Sequence, residues 1–269
     1  MAQSEDQGRR ATQKERTGDS ASHLQRRKCV QGEGTISGTV GIVAGDNGRY
    51  TLFSVCLTQL KHPPNTRIDW GLSTDIAGAR NSLVKRSLEE GSEWILFLDD
   101  DHVYPGDLLL RLLKHEQPIV GSLYLRRAQP FSPVAFSHRS EDGLYQSIDL
   151  TALPKEGLLK VHALGAAGLL VWSEVFRAIP EPWFVHGQYG DWNAGEDIIF
   201  CEQANEAGFD IFVDLAAQLG HLCASAIWPS WIDQEWAVGF SVADGLRLYC
   251  PIEKPAEAEE AAPADAVRR

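Results

Sequence analysis

The sequence contains few cysteines, and no two of them stand at the Cys-x-x-Cys spacing of a metal-binding or redox motif. The count is five in 269 residues, which is an odd number. This pattern argues against a zinc site built from cysteines and against a secreted disulfide framework. A chain of this length buries enough apolar surface without disulfides, so we expect a cytoplasmic protein with reduced thiols. The cysteines are Cys29, Cys56, Cys201, Cys223 and Cys250.

The sequence also lacks any uninterrupted apolar run of about 18 residues, the length that a membrane-spanning helix requires. Residues 1–28 lack the apolar core of a secretory signal. Internal repeats are absent as well. With 43% hydrophobic and 23% charged residues, the composition predicts a soluble globular protein without a membrane span.

The chain has fewer basic than acidic residues, and its formal net charge is −12. The acidic excess lies in residues 35–252, and so acidic a body is a poor non-specific binder of nucleic acid. An acidic cleft is, in contrast, typical of an enzyme that binds a cation. Residues 1–34 are polar and without apolar periodicity, which predicts a disordered leader. The Ala-, Glu- and Pro-rich residues 253–269 predict a flexible acidic tail, which leaves one domain over residues 35–252.

Between these tails, patterns typical of strands and of helices alternate. The alternation predicts an α/β fold with a mostly parallel, helix-covered central sheet, and its weakening after about residue 130 predicts a smaller antiparallel portion. Ser73 or Thr74 is the expected cap of the longest helix. The predicted strands are 39–44, 67–72, 94–98, 119–125, 169–172, 211–213 and 218–222. The predicted helices are 50–60, 75–90, 105–114, 173–178 and 196–208.

Three consecutive carboxylates follow the apolar strand pattern at residues 94–98. They belong to Asp99, Asp100 and Asp101, and like charges at this spacing need a counter-charge to stay ionised. Mg²⁺ or Mn²⁺ is suitable, since hard cations prefer carboxylate oxygens. Side chains two apart in an extended chain point the same way, so Asp99 and Asp101 are the better pair for one metal. The segment alone leaves a solvated acidic turn equally open.

Four further groups are ambiguous when each is taken alone. Glu196 and Asp197 begin a predicted helix, where acids either complement the helix dipole or act as a general base. His221 stands beside apolar residues, either as a core histidine or as a metal ligand. Arg80 and the pair Arg126-Arg127 either hold an anionic substrate or lie in solvent.

Taken together and in this order, these segments resemble the nucleotide-sugar-dependent glycosyltransferases of the GT-A fold, particularly the family 2-like enzymes. The resemblance covers about residues 38–225. It implies a Rossmann-like αβα sandwich with a mostly parallel central sheet and a smaller antiparallel portion on the acceptor side. The matching segments are Ile76-Ala77-Gly78-Ala79-Arg80-Asn81, Phe97-Leu98-Asp99-Asp100-Asp101-His102 with Pro105 and Asp107, Pro118-Ile119-Val120-Gly121 with Arg126-Arg127, Gly168-Leu169-Leu170-Val171 with Val175-Phe176, Gly195-Glu196-Asp197-Ile198 with Phe200-Cys201, Gly208, Val213-Asp214 and Gly220-His221.

The resemblance also implies roles for single residues. Asp99 and Asp101 match the Asp-x-Asp motif that holds Mn²⁺ or Mg²⁺ on the donor diphosphate, and His221 matches a histidine that often completes that site. Asp100, between the two, is left open between a ribose contact and a spacer.

Further roles concern the base and the donor. Asp197, with Glu196, matches the acidic pair that supplies the acceptor-activating base. Asp75 and Arg80 lie where such enzymes contact the nucleoside or a phosphate.

The function implied is metal-dependent transfer of a sugar from a nucleotide-diphosphate sugar, with a UDP-sugar expected first, to a hydroxyl acceptor with inversion. The acceptor is open among glycans, small molecules and modified DNA bases, and the oligomeric state is open too. Two alternatives remain at this point. One is a nucleotidyltransferase-like sugar-nucleotide enzyme, and the other is a non-catalytic protein that binds nucleotide sugars or glycans.

Overall fold

The computed structural model describes residues 37–44, 51–73, 75–127, 130–140, 143–189, 192–222, 226–241 and 247–252. The predicted leader and tail lie outside these residues. The described part is an α/β structure built on a seven-stranded mixed sheet. No described helix is long and apolar enough to cross a membrane.

The helices and strands follow one another in the predicted order, with an additional strand at residues 102–103 and several more after residue 130. The helices are α1 Thr51–Gln59, α2 Ile76–Glu89, α3 Leu108–Lys114, α4 Ser173–Ala178 and α5 Glu196–Glu206. The first ten strands are β1 Gly38–Ala44, β2 Thr66–Leu72, β3 Trp94–Asp99, β4 His102–Val103, β5 Ile119–Leu123, β6 Ala135–Arg139, β7 Tyr145–Ser147, β8 Leu158–Val161, β9 Ala163–Leu164 and β10 Leu169–Trp172. The others are β11 Gly187–Tyr189, β12 Trp192–Ala194, β13 Ile211–Gln218, β14 Gly220–Leu222, β15 Ala226–Ile232, β16 Glu235–Ser241 and β17 Arg247–Pro251.

The central sheet has the order β2-β1-β3-β10-β5-β13-β8. Five of its strands run parallel, and β10 and β8 run antiparallel to them. The insertion of β10 between β3 and β5 separates two strands that a simple strand–helix–strand unit would pair. The predicted mostly parallel sheet is therefore present in a mixed form.

Helices cover both faces of the central sheet because its inner strands are apolar on both sides. Every residue of β3 before Asp99 is buried. One apolar cluster packs α2, α4 and α5 against one face, and a second packs α1 and α3 against the other. The carboxyl end of β3 is thus held rigidly between two layers.

The cap of α2 is Asp75 rather than Ser73 or Thr74. The Asp75 carboxylate accepts hydrogen bonds from the backbone N–H groups of Ala77 and Gly78, at 3.2 and 3.0 Å. Ser73 instead accepts from the backbone N–H of Asp75, and Thr74 lies outside the described residues. An aspartate two residues later caps better because its two oxygens reach two free N–H groups.

A second sheet of five strands, ordered β17-β16-β15-β14-β4, lies beyond the end of β3. The predicted strand at 218–222 divides here, since β13 ends at Gln218 and β14 begins at Gly220. The antiparallel pairing of β4 with β14 sets His102 directly opposite His221. This register builds one half of the site described next.

Candidate functional site

Arg80 is the buried centre of the first half of the site. It lies on α2, is 2% exposed, and its Nη2 donates to both oxygens of Asp99 at 2.8 and 3.1 Å. Its Nη1 donates to Glu196 at the start of α5. Burial alone would lower the pKa of Arg80, but the charges of Asp99 and Glu196 raise it, so the guanidinium is a fixed cation that joins three elements.

Asp197 follows Glu196, and its negative charge is compensated less by Arg80 than those of Asp99 and Glu196. Burial raises its pKa to about 6, and the charge of Glu196 adds to that rise, while Arg80 and the backbone N–H of Ile198 act against it. That N–H donates to Asp197 Oδ1 at 2.8 Å. A carboxylate with a pKa near 6 is ionised at neutral pH and accepts a proton more readily than an ordinary aspartate.

The second half of the site is a group of one carboxylate and two imidazoles. Asp101, His102 and His221 each offer one ligand atom, and these atoms lie within 4.8 Å of one another. Asp101 Oδ1 accepts from His102 Nδ1 at 2.8 Å, and Asp101 Oδ2 lies 3.4 Å from His221 Nε2. The two rings stack at 4.1 Å, and Arg127 lies 3.1 Å from Asp101 Oδ2.

The protonation of His221 follows from its other ring nitrogen. Nδ1 lies 2.9 Å from the carbonyl oxygen of Leu125 and must therefore carry the hydrogen. In the neutral ring, Nε2 then presents its lone pair to the carboxylate of Asp101. Either a second proton on the ring or a cation between His221 Nε2 and Asp101 Oδ2 makes this contact favourable. A histidine that donates to a backbone carbonyl on one side and has a free lone pair on the other is built as metal ligands are.

His102 differs from His221 in being fully enclosed. Burial lowers its pKa, which the hydrogen bond to Asp101 opposes. Its Nε2 is buried and has no hydrogen-bond partner among the described residues. Burial raises the pKa of Asp101, whereas the contacts with the imidazoles of His102 and His221 lower it well below its usual range. The group presents one carboxylate and two imidazoles, a donor set that suits Mn²⁺ and other first-row divalent cations.

Tyr124 connects the two halves. Its ring meets His102 edge-on at 4.9 Å and lies 6.1 Å from His221. Burial raises its pKa well above the usual value, and the nearby charges of Asp197 and Asp99 add to the rise. The buried phenol of Tyr124 is therefore close to both halves of the site.

The predicted site residues are distributed over these halves. Asp101 and His221 come together as expected, whereas Asp99 binds Arg80, because β3 ends at Asp99 and the chain then turns at residues 100 and 101. The strict two-residue alternation of an extended chain does not hold across that turn. The role of Asp99 as a metal ligand stays a prediction, and Asp100 binds through its backbone N–H to Val43 at 3.2 Å.

Asp75 lies at the edge of the site as the helix cap. Its carboxylate is 3.5 Å from His186 Nε2, and His186 Nδ1 is 3.3 Å from Glu196 Oε2. His186 is one of three participants that the sequence did not suggest, together with His102 and Tyr124. The position of His102 directly after the acidic triplet was a usable signal, but its pairing with His221 depends on a contact across 119 positions of sequence.

Comparison with solved structures identifies a shared fold. The structure is similar to A197 from STIV, with a TM-score of 0.52 and 13% sequence identity over 84% of this chain and 100% of that chain. No protein-family model matches the sequence, and none of the curated proteins matches it. Likeness at this level of identity concerns the fold alone, so it supports the α/β arrangement and assigns no residue a role.

Proposed function

We propose that this protein is a metal-dependent glycosyltransferase of the GT-A type, which moves a sugar from a nucleotide-diphosphate sugar to a hydroxyl acceptor with inversion. The observation that carries the proposal is that two complementary groups lie near Tyr124. In one group, a histidine lone pair faces the carboxylate of Asp101. The other group contains Asp197, whose pKa is raised to about 6.

Asp101 and His221 are the residues that would hold Mn²⁺ or Mg²⁺, with His102 fixing the carboxylate of Asp101. The bound metal would neutralise the negative charge that builds up on the leaving diphosphate. Arg127 adds a cation next to Asp101 and is 48% exposed, so it is available to the same diphosphate. Both Nη atoms of Arg80 are engaged with Asp99 and Glu196, which favours a positioning role for it over direct phosphate binding.

Asp197 is the proposed general base. As the acceptor oxygen forms its bond to the anomeric carbon, the bond from that carbon to the diphosphate oxygen breaks, and the hydroxyl proton passes to Asp197. A base with a pKa of about 6 is ionised at pH 7. Its pKa is also close enough to neutral pH for efficient proton transfer. The Arg80–Glu196 ion pair holds the first turn of α5, and so the backbone of Asp197, in place.

A screen of nucleotide sugars with Mn²⁺ tests the proposal, with release of nucleoside diphosphate as the measurement. We expect hydrolysis of at least one donor, with a UDP-sugar tried first, and we expect EDTA to abolish it. Asp101→Ala should lower the rate by at least about a hundredfold. Asp210→Ala is the matched control, because Asp210 pairs with Lys160 on the surface, and it should keep full activity.

Three results would contradict the proposal in different ways. Full activity in EDTA, or in Asp101→Ala, would remove the metal from the mechanism. Release of pyrophosphate from a nucleoside triphosphate and a sugar phosphate would identify a nucleotidyltransferase. Tight Mn²⁺-dependent binding of UDP without turnover of any donor would identify a binding protein.

A further inference from the structure

A cavity of about 460 Å³ opens beside α3, β13, β15 and β17. It is separated from the candidate site by the small sheet. His221 and Ile227 are paired across β14 and β15, so the adjacent Gly220 and Trp228 face the opposite side of that sheet. Trp228 packs there with Val103, Leu222 and Ala226. Trp228, a lining residue of the cavity, therefore lies on the face of the sheet away from the imidazoles of the candidate site, and the cavity shares none of the proposed catalytic residues.

The wall of the cavity is an aromatic surface with a defined spacing. The strand registers place Trp228 opposite Gly239, and Gly239 opposite Tyr249. Two aromatic rings on the same sheet face are thus separated by a strand position that has no side chain, and neighbouring strands are about 4.8 Å apart. The face of a sugar ring can stack on each of these platforms, because the negative face of an aromatic ring attracts polarised C–H groups.

Close packing fixes this surface in position. A Cβ at Gly220 would lie 2.6 Å from the indole ring of Trp228, so the indole rests directly on the backbone of β14. A Cβ at Gly239 would lie 2.3 Å from Ser230 Oγ, which places a hydroxyl between the two aromatic positions. A preformed surface of this kind binds with little loss of side-chain entropy.

The polar part of the lining is cationic in a chain whose net charge is −12. Arg111 and Lys155 line the cavity, Gln218 and Ser230 add neutral hydrogen-bonding groups, and the lining contains no carboxylate. Arg111 Nε pairs with Asp107 at 2.9 Å, whereas Lys155 forms no ion pair with another described residue. The cavity thus combines aromatic platforms, neutral hydrogen-bonding groups and an uncompensated cation.

We propose that this cavity binds an anionic oligosaccharide, with sugar rings on Trp228 and Tyr249 and an acidic substituent at Lys155. Its volume lies within the range of ordinary ligand pockets. The site is independent of the proposed transfer reaction, because no metal ligand or base takes part in it. It would hold a glycan on the protein whether or not that glycan is the acceptor.

Titration in EDTA without any nucleotide tests the site separately from the transferase proposal. The probes are trigalacturonate, sialyllactose and glucose 6-phosphate, and the readout is tryptophan fluorescence with calorimetry as confirmation. We expect saturable binding of trigalacturonate or sialyllactose, and binding of glucose 6-phosphate at least tenfold weaker because it has a single ring. Binding of glucose 6-phosphate alone would overturn the oligosaccharide assignment. Lys155→Met and Tyr249→Ala should each weaken oligosaccharide binding by at least tenfold, and Lys85→Met, an exposed lysine on α2, should leave it unchanged.

The methyl ester of trigalacturonate and a thymidine pentanucleotide complete the experiment. The ester keeps the sugar rings and removes the charge, so it should bind at least tenfold more weakly than the free acid. No binding of any of the three saccharides, or equal binding by the Lys155 and Tyr249 variants, would overturn the site. Tighter Lys155-dependent binding of the pentanucleotide would overturn the saccharide assignment.

Discussion

Arg80 pairs with two carboxylates, and this determines how the acids of α5 differ. Asp99 and Glu196 share its guanidinium, whereas Asp197 receives only part of its field. Of these two neighbouring acids, Glu196 is therefore bound as a structural anion, and Asp197 is left as the proposed base. Removing a partner from such a buried group leaves an uncompensated charge, which costs far more than the intact pair contributes.

Activity should depend on pH through Asp197. The base must be ionised, so kcat/KM should fall as the pH drops through about 6, where Asp197 takes up its proton. Glu196→Gln removes a negative charge that raises this pKa, and it should move the acidic limb of the profile to lower pH. An acidic limb that stays in place in Glu196→Gln would show that another group controls it.

The same two residues should change stability in opposite directions. Because the pKa of Asp197 is higher in the folded protein than in the unfolded chain, its ionised form destabilises the fold above pH 6. Asp197→Asn should therefore raise the free energy of unfolding at pH 8 by about 2 kcal/mol, a gain that disappears as the pH falls towards 4. Glu196→Gln should lower it by about 3 kcal/mol, since Arg80 then keeps only Asp99.

Urea unfolding at pH 8 and pH 5 measures both effects. Asp210→Asn, at an exposed ion pair, serves as the control and should change stability by less than about 1 kcal/mol at either pH. Equal destabilisation by Asp197→Asn and Glu196→Gln would contradict the division of roles between the two acids.

At the scale of helices and strands, the site depends on α2 being correctly started. Asp75 satisfies two N–H groups at the first turn, and Arg80 lies about one turn further along. Asp75→Ala should lower the free energy of unfolding by about 1 kcal/mol. Ser73→Ala should have a smaller effect, because Ser73 bonds only to the N–H of Asp75. Thermal unfolding compares the two, and an equal loss in both would contradict Asp75 as the cap.

The elements that the sequence predicted correctly are those with a strong local pattern. The apolar run before Asp99 and the three- and four-residue periodicity of α2 are properties of neighbouring residues, and both appear at nearly the predicted bounds. The pairing of strands is a long-range property. Nothing near β10 indicates that it enters between β3 and β5, and nothing near His102 indicates that it faces His221.

The features of the site that depend only on residue type were predictable from the sequence. The structure brings Asp101 and His221 together as predicted, whereas the roles of Asp101 and His221 in metal binding and of Asp197 as a base stay predictions. The partner of Asp99 was not predictable, because it depends on where β3 ends and on the reach of Arg80 from α2. The pKa of Asp197 likewise depends on burial, which no local pattern gives.

At the scale of the whole molecule, the small sheet separates two surfaces with different charge. One face carries Asp101, His102 and His221, and the other carries Trp228 and the cationic cavity. Because the overall charge is −12, the cationic lining of the cavity is an exception. The same negative charge favours the binding of a cation on the opposite face of the small sheet. The attachment of this sheet to the end of β3 is short, since β4 has only two residues.

A metal between Asp101 and His221 should therefore stabilise the whole protein, because it links the end of β3 to β14. A ligand that binds only the folded state adds about 2.7 kcal/mol at a hundred times its Kd. Differential scanning fluorimetry with increasing MnCl₂ should show a rising Tm that follows this relation. His221→Ala should lose the shift, whereas His138→Ala, on the exposed part of β6, should keep it. An equal rise in both variants would mean that Mn²⁺ binds elsewhere, and no rise in the unmodified protein would contradict a metal site between Asp101 and His221.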